Sequence, residues 1–458
     1  MNFTTSALAN ALGGTISGDG TVSWMGVEID TRRDVKGKVF FALRGTQSDG
    51  HEFLSAAISG GCAAVVVSKP TEVSVPVIQV EDTRKALFRL SSVVRSQLDV
   101  ETTIAITGSV GKTTTKDLLA QLLGDSVTAS QASFNNDLGV PLTLLDAVDS
   151  KYLVVEVGAN EPGEIEPLAK LVSPDIAIIT TIQKAHLEGF GSISTILKEK
   201  TILLKALQEG GIAIIPESVP VDGFELDCDV IIIGESDSSD IRVRIKCNDD
   251  GYAMLDVGEG FVTLKLLGKH NAMNAACAIV AAKYALARSE EPQTLHCLLQ
   301  KVALYEGTQG RLARITVPSS VSNSGLEVIF IDDSYNANPA SMQAAIESFS
   351  MVSGRRKVMI LGDMLELGEH AQLEHHNIGC MLSNLHIDQL FLVGQEMSSA
   401  AKVLPFATYE SQSDDGVIDR IAKSLQDGDV VLLKGSRAMK LERIIDQFER
   451  LTTKVPTL

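Results

Sequence analysis

A chain of 458 residues carrying a formal charge of −18 is too long for one hydrophobic core, and too acidic to wrap a polyanion such as nucleic acid, which needs a basic stripe to displace counterions. With 45% apolar and 21% charged residues it has the composition of a globular protein and not of a disordered one. Six scattered cysteines without a CxxC pair suit neither a disulfide framework nor a zinc site. No signal-type start is present, and no apolar run approaches the roughly 18 residues of a membrane span, so the expectation is a soluble, cytoplasmic protein with no membrane insertion; a monomer is expected as well.

In chain order, strands are expected at 38–43 and 63–67 around a short helix at 53–59 that Gly60 and Gly61 end, making residues 1–83 a small α/β domain. A helix over 84–98 leads into a central domain, residues 84–310, in which apolar strands alternate with amphipathic helices. The runs 103–106, 152–157 and 176–179 read as parallel strands covered on both faces, and 230–267, with β-type alternation and acidic turns, as an antiparallel insertion or edge. From Arg311 onward, strands at 328–331, 358–361, 389–393 and 430–433 alternate with helical segments, so residues 311–458 are expected to form a Rossmann-like domain. The fold class is α/β in three domains, the central one a phosphate-loop ATPase with a mostly parallel sheet.

That assignment rests on Gly108-Ser109-Val110-Gly111-Lys112-Thr113-Thr114, which lies between the strand at 103–106 and a helix over 113–123. Backbone N–H groups and the helix dipole would meet phosphates, Lys112 would neutralise their charge, and the Thr113 hydroxyl would ligate magnesium. The full Walker pattern would need glycine where Ile106 stands, and a Gly-Lys-Thr turn also serves as a plain helix start.

Glu156 ends an apolar strand beside Gly158-Ala159-Asn160, a place for a metal-binding carboxylate in a parallel sheet or for a solvated strand-end charge. His186 follows the next strand, as a metal ligand or a surface residue. Lys200 falls on the apolar helical face of Ile193, Ile196, Leu197, Leu203, Leu204 and Leu207. Its stem either snorkels to the helix edge, or its ammonium has a depressed pKa and the amine takes up carbon dioxide as a metal-bridging carbamate.

Taken together, the short Gly108-x-x-Gly111-Lys112-Thr113 loop, the strand-end Glu156, and His186 followed fourteen positions later by Lys200 resemble the Mur ligases. The resemblance runs along the chain through Asp30-Thr31-Arg32, Asp49-Gly50-His51, Asn135-Asn136-Asp137-Leu138-Gly139, Asp333-Ser334-Tyr335-Asn336-Ala337-Asn338-Pro339 and Leu361-Gly362-Asp363-Met364-Leu365-Glu366-Leu367-Gly368. It implies ATP and Mg2+ as cofactors, magnesium held by Thr113, Glu156 and His186 with Lys200, and a catalytic role for Lys112, His186 and Lys200. It also implies Asn271 and Asn274 near adenine, Arg311 near the phosphates and Asp333 near the ribose. Thr31, Arg32 and Asp49 would meet a uridine nucleotide, with Asn135, Asn136, Asn336 and Asn338 on the remainder of the substrates.

Read without the family, Asn271 and Asn274 can cap an Ala-rich helix, Asp49-Gly50 is also a turn, Thr31-Arg32 can cap or pair, and paired asparagines suit a loop. The implied activity is an ATP-dependent amide ligation, through an acyl phosphate, of a UDP-N-acetylmuramoyl tripeptide to D-alanyl-D-alanine. Two alternatives are a different Mur or folylpolyglutamate synthetase-like ligase and, in another class, a nucleotide-binding regulator without ligase chemistry.

Overall fold

The computed structural model describes residues 4–45, 48–221, 223–318 and 327–453. Its strands form three separate parallel-rich sheets and one small antiparallel one. The first sheet runs in the order Thr15–Ser17, Val77–Gln79, Ala64–Val67, Val39–Phe41, Val27–Glu28, and only its first pair is antiparallel. Helix Thr83–Arg95 buries Ala86, Leu87, Leu90 and Val94 in that sheet's core, which also takes in Leu142 and Leu145 from the central domain. By packing, this helix therefore serves both units.

The central sheet has seven strands in the order Ile241–Arg242, Asp229–Gly234, Ile212–Pro216, Ile176–Ile179, Thr102–Thr107, Tyr152–Glu156, Val127–Ala129, all parallel. Strands Thr102–Thr107, Tyr152–Glu156 and Ile176–Ile179 are buried throughout, which is why they read as continuous apolar runs. The expected antiparallel segment 230–267 needs correction. Asp229–Gly234 and Ile241–Arg242 extend the parallel sheet, and only Arg244–Cys247, Tyr252–Asp256 and Val262–Leu267 pair antiparallel. Residues 230–233 are a continuous apolar run, as suits a parallel strand, and the alternation that suggested antiparallel pairing belongs to Arg244–Cys247 and Val262–Leu267 further on.

The third sheet runs Ala313–Pro318, Glu327–Asp333, Asp429–Lys434, Arg356–Gly362, Gln389–Val393, Thr408–Glu410. All but the first pair are parallel. The four expected strands are present. Both additional ones, Ala313–Pro318 and Thr408–Glu410, are half-exposed edge strands with little apolar signal.

Two features aim the functional groups. Successive strands leave Thr102–Thr107 in opposite directions across the central sheet, so the carboxyl end of that strand is a switch point where ligands gather. Helix Lys269–Arg288, whose alanines at 272, 275, 276, 278, 281 and 282 are fully buried, packs closely on helix Lys112–Leu123, since side chains this small let backbones approach. No helix among the described residues is long and apolar enough to cross a membrane.

Candidate active site

The phosphate loop is built as its sequence requires. Gly108 and Gly111 have φ of 147° and 91°, and a Cβ would lie 1.9 Å from Thr180 Oγ1 at the first and 2.5 Å from Asn274 Oδ1 at the second, so no other residue fits either place. Segment 180–183 pins the loop from below: Ser109 N donates to Thr181 O at 2.9 Å, Val110 N to Thr181 Oγ1 at 3.1 Å, and Ser109 Oγ to Gln183 O at 2.9 Å. Lys112 folds back to donate to Gly108 O at 2.8 Å. Burial lowers its pKa, with Glu156 opposing and the Arg311 cation adding to the shift. A bent glycine loop opening a helix, with a lysine lying over it, is a cradle that fits a polyphosphate.

Thr113 Oγ1 donates to Glu156 Oε2 at 2.9 Å, and Asn135 Nδ2 donates to Glu156 Oε1 at 2.7 Å. A hydroxyl and a carboxylate beside the phosphate cradle are hard oxygen donors of the kind magnesium takes when it shares its shell with substrate phosphates. His186 lines the same cleft but its Nδ1 lies 2.5 Å from Glu366 Oε2, across the gap to the C-terminal domain. Among the described residues no three His, Cys, Asp or Glu side chains form a ready metal cluster. The donor set gathered here is instead a hydroxyl and a carboxylate.

Lys200 is 2% exposed on helix Ile193–Thr201. The expected apolar face exists in Ile196, Leu203 and Leu204, whereas Ile193 is 43% exposed. The Lys200 ammonium lies 6.0 Å from the centre of the Phe190 ring. Burial, and after it the Lys112 charge, pulls its pKa down to about 7 against the opposing fields of Glu199 and Glu156. Snorkelling to solvent is thereby excluded, and the amine stands within the electrostatic reach of the two groups that flank the cradle.

The opposite wall of the cleft comes from the helix Lys269–Arg288 and the C-terminal domain. Asn271 Nδ2 donates to Leu267 O at 2.9 Å and Asn274 Nδ2 to Asn271 Oδ1 at 3.1 Å; both line the cleft, and neither side chain caps the helix, whose N-cap is Gly268. Arg311 Nη2 reaches Thr113 Oγ1 and Ser133 Oγ, each at 3.3 Å, and its guanidinium stacks 4.3 Å from the Tyr335 ring centre. Asp333 pairs with Lys434 at 2.6 Å. Burial raises the Asp333 pKa while Lys434 and then Arg311 hold it back. Asn336 and Asn338 line the cleft too, Asn338 also capping helix Pro339–Met351 through Ser341.

Besides the buried Lys200, four candidates lie outside this cleft. Thr31, Arg32 and Asp49 are in the first domain. Arg32 is exposed and forks onto Asp30 at 2.6 Å, and Asp49 ties His51 and Lys69 together, its pKa lowered chiefly by the Lys69 hydrogen bond. Asn136 accepts from Leu138 N and Gly139 N at 3.2 and 2.9 Å and so shapes its own loop. Conversely, the sequence reading passed over Lys434, Tyr335, Ser133 and His270, all lining the cleft. Lys434 had a signal, because it ends an apolar strand as Glu156 does. Burial, and then Lys434, pushes the His270 pKa down to about 4.

A glycine cradle at a sheet switch point, faced by an arginine and an aspartate from a Rossmann-like domain, defines an ATP-using enzyme of three α/β domains. Residues 24–95 match the Mur ligase family catalytic domain, 106–282 the Mur ligase middle domain, and 314–437 the Mur ligase glutamate ligase domain. The UDP-N-acetylmuramoyl-tripeptide–D-alanyl-D-alanine ligase of Haemophilus influenzae is 33% identical over 97% of this chain and 98% of its own. Among solved structures, MurF from Acinetobacter baumannii superposes with a TM-score of 0.82 at 30% identity, covering 98% of this chain and 99% of its own. MurF from Thermotoga maritima in complex with ADP gives 0.75 at 27% identity, over 93% and 98%. The chain belongs to the Mur ligase family.

Proposed function

We infer that this protein joins D-alanyl-D-alanine to a UDP-N-acetylmuramoyl tripeptide at the expense of ATP in peptidoglycan precursor synthesis. The observation that carries the reading is the single cleft in which Lys112, Thr113 and Glu156 face Arg311 and Asp333, set in a chain whose full-length relatives bear that activity in their names. Amide formation from a free carboxylate is uphill in water. ATP supplies the phosphoryl group that converts the tripeptide carboxylate to an acyl phosphate with release of ADP, and the dipeptide amine then displaces phosphate.

Each residue has a part in that scheme. The loop N–H groups and Lys112 hold the phosphates, and Arg311 balances charge on the transferring group. Thr113, Glu156 and His186, with Lys200 as its carbamate, are the proposed holders of magnesium, which when bound neutralises phosphate oxygens. Asn271 and Asn274 lie toward adenine and Asp333 toward the ribose. Asn135 and Asn136 meet the sugar-peptide portion, Asn336 and Asn338 the remaining substrate groups, and Thr31, Arg32 and Asp49 the uridine nucleotide. Residues 1–83, 84–310 and 311–458 are the corresponding nucleotide-substrate, ATP and Rossmann-like domains. All six cysteines are free thiols, in keeping with a cytoplasmic protein, and because one chain supplies both walls of the cleft we propose that it works as a monomer.

Mass spectrometry of the product formed from ATP, magnesium, UDP-muramoyl tripeptide and D-alanyl-D-alanine tests the assignment, and no ligated product would overturn it. In the same assay Lys112→Ala should lose about 10²-fold or more in turnover with an unaltered circular dichroism spectrum, and near-normal turnover would remove the phosphate-loop assignment.

A further inference from the structure

Helix Lys112–Leu123 carries Lys112 and Thr113 into the cleft, and one turn later carries Lys116 and Asp117, to which the scheme above gives no part. Lys116 is 3% exposed. Its ammonium donates to Ser130 O at 2.7 Å and Ala132 O at 3.0 Å and pairs with Asp117 Oδ1 at 2.8 Å, so all three of its donors are used and its burial is compensated. The loop it grips includes Ala132 at φ 46° and continues into Ser133 and Asn135, which contact Arg311 and Glu156 at 3.3 and 2.7 Å.

The other oxygen of Asp117 faces the passage between the central and C-terminal domains. Asp117 Oδ2 accepts from Thr308 Oγ1 at 2.5 Å and from Tyr305 OH at 3.4 Å. Thr308 O in turn accepts from Arg311 N at 3.0 Å, closing a turn through Gly310 at φ 76° that projects Arg311 toward Thr113 Oγ1, 3.3 Å away. One rigid helix thus presents the phosphate-binding end and, four residues on, holds the two segments that carry Ser133 and Arg311 over it.

We propose that Asp117, oriented by Lys116, is a positioning residue that sets Arg311 over the phosphate loop through Thr308. The proposal rests on the role given above to Arg311. For a pair that served stability alone, the effect of its loss on kcat would not depend on Arg311, whereas a pair acting through Arg311 loses its effect once the guanidinium is gone.

The test is a double-mutant cycle on the full chain, with Asp117→Asn, Thr308→Val and Lys116→Met each combined with Arg311→Ala. Thr308→Val cuts the same link from the other side and keeps the test valid should a helix variant fold poorly. In the parent background Asp117→Asn and Thr308→Val should each lower kcat by about fivefold or more, leaving KM for the UDP-linked substrate within about twofold; on Arg311→Ala the same changes, and Lys116→Met, should cost less than about twofold further. Fully multiplicative losses, undiminished kcat in both Asp117→Asn and Thr308→Val, or an Arg311→Ala variant as fast as the parent would each overturn the proposal. Product formation by the parent chain is read alongside, so that failure of the ligase assignment shows as absence of product from the parent and failure of the positioning pair shows only in the cycle.

Discussion

Two lysines are almost equally buried, Lys434 lining the cleft at 1% exposure and Lys200 behind its lining at 2%, and they differ in what surrounds the charge. Lys434 ends a parallel strand in register with Asp333, pairs with it at 2.6 Å and donates to Asn336 O at 3.0 Å. Lys200 sits in an apolar helical face against Phe190, and its pKa falls to about 7. Burial alone therefore does not decide what a lysine does. A partnered ammonium is a structural and electrostatic fixture; one buried without an ion-pair partner has its charged form disfavoured.

Replacement of Lys200 should have the largest effect. If Lys200 acts as a carbamate, Lys200→Ala should lose about 10²- to 10³-fold in turnover, and added acetate or formate should restore a part of it by supplying the missing negative charge. Full activity in the variant, or loss without any rescue, would end the carbamate reading. Lys200→Met should be equally inactive yet no less stable to urea than the parent, because methionine fills the apolar face with no charge to bury.

Lys434→Met is the contrasting case. It leaves the partly buried Asp333 without its ion-pair partner, and leaving such a group unpaired costs about 1–3 kcal/mol, readable as a lower urea midpoint. An unchanged midpoint would mean that Asp333 simply takes up a proton and that the two lysines differ less than their surroundings suggest.

A pH series gives a smaller, graded effect. With a Lys200 pKa of about 7, the amine is mostly neutral above that pH and mostly protonated below it, and only the neutral amine adds carbon dioxide. At limiting carbon dioxide, turnover should fall as pH drops through 7 and added bicarbonate should help most on the acid side. A flat response to bicarbonate across this range would count against the modification. Smallest of all is Arg32→Ala, at a fully exposed side chain: the melting temperature should not move, while KM for the UDP-linked substrate rises if Arg32 meets the nucleotide. Unchanged KM would take Arg32 out of that site.

Local signals explain what was legible. Strand, glycines, lysine and helix of the phosphate loop lie within about twenty consecutive residues of one strand–turn–helix unit; Glu156 was marked by ending an apolar strand, and Lys200 by a helical period that a neighbouring turn confirms. The same strand-end rule, carried on to the third domain, would have marked Lys434. Edge strands such as Thr408–Glu410 had no comparable mark, since half their surface faces solvent.

By itself, then, the sequence determined the three α/β units, the phosphate loop, the strand-end carboxylate and the lysine on an apolar face, because each depends on propensity and periodicity over one or two elements. Only the tertiary structure decided which distant groups meet. Arg311 reaches Thr113 across 198 positions, Thr308 finds Asp117 across 191, and His186 finds Glu366 across 180. Partner choice over such separations follows from strand order, register and domain packing. Strand direction was decided there too, for it is the backbone hydrogen bonds to Ile212–Pro216 that make Asp229–Gly234 parallel.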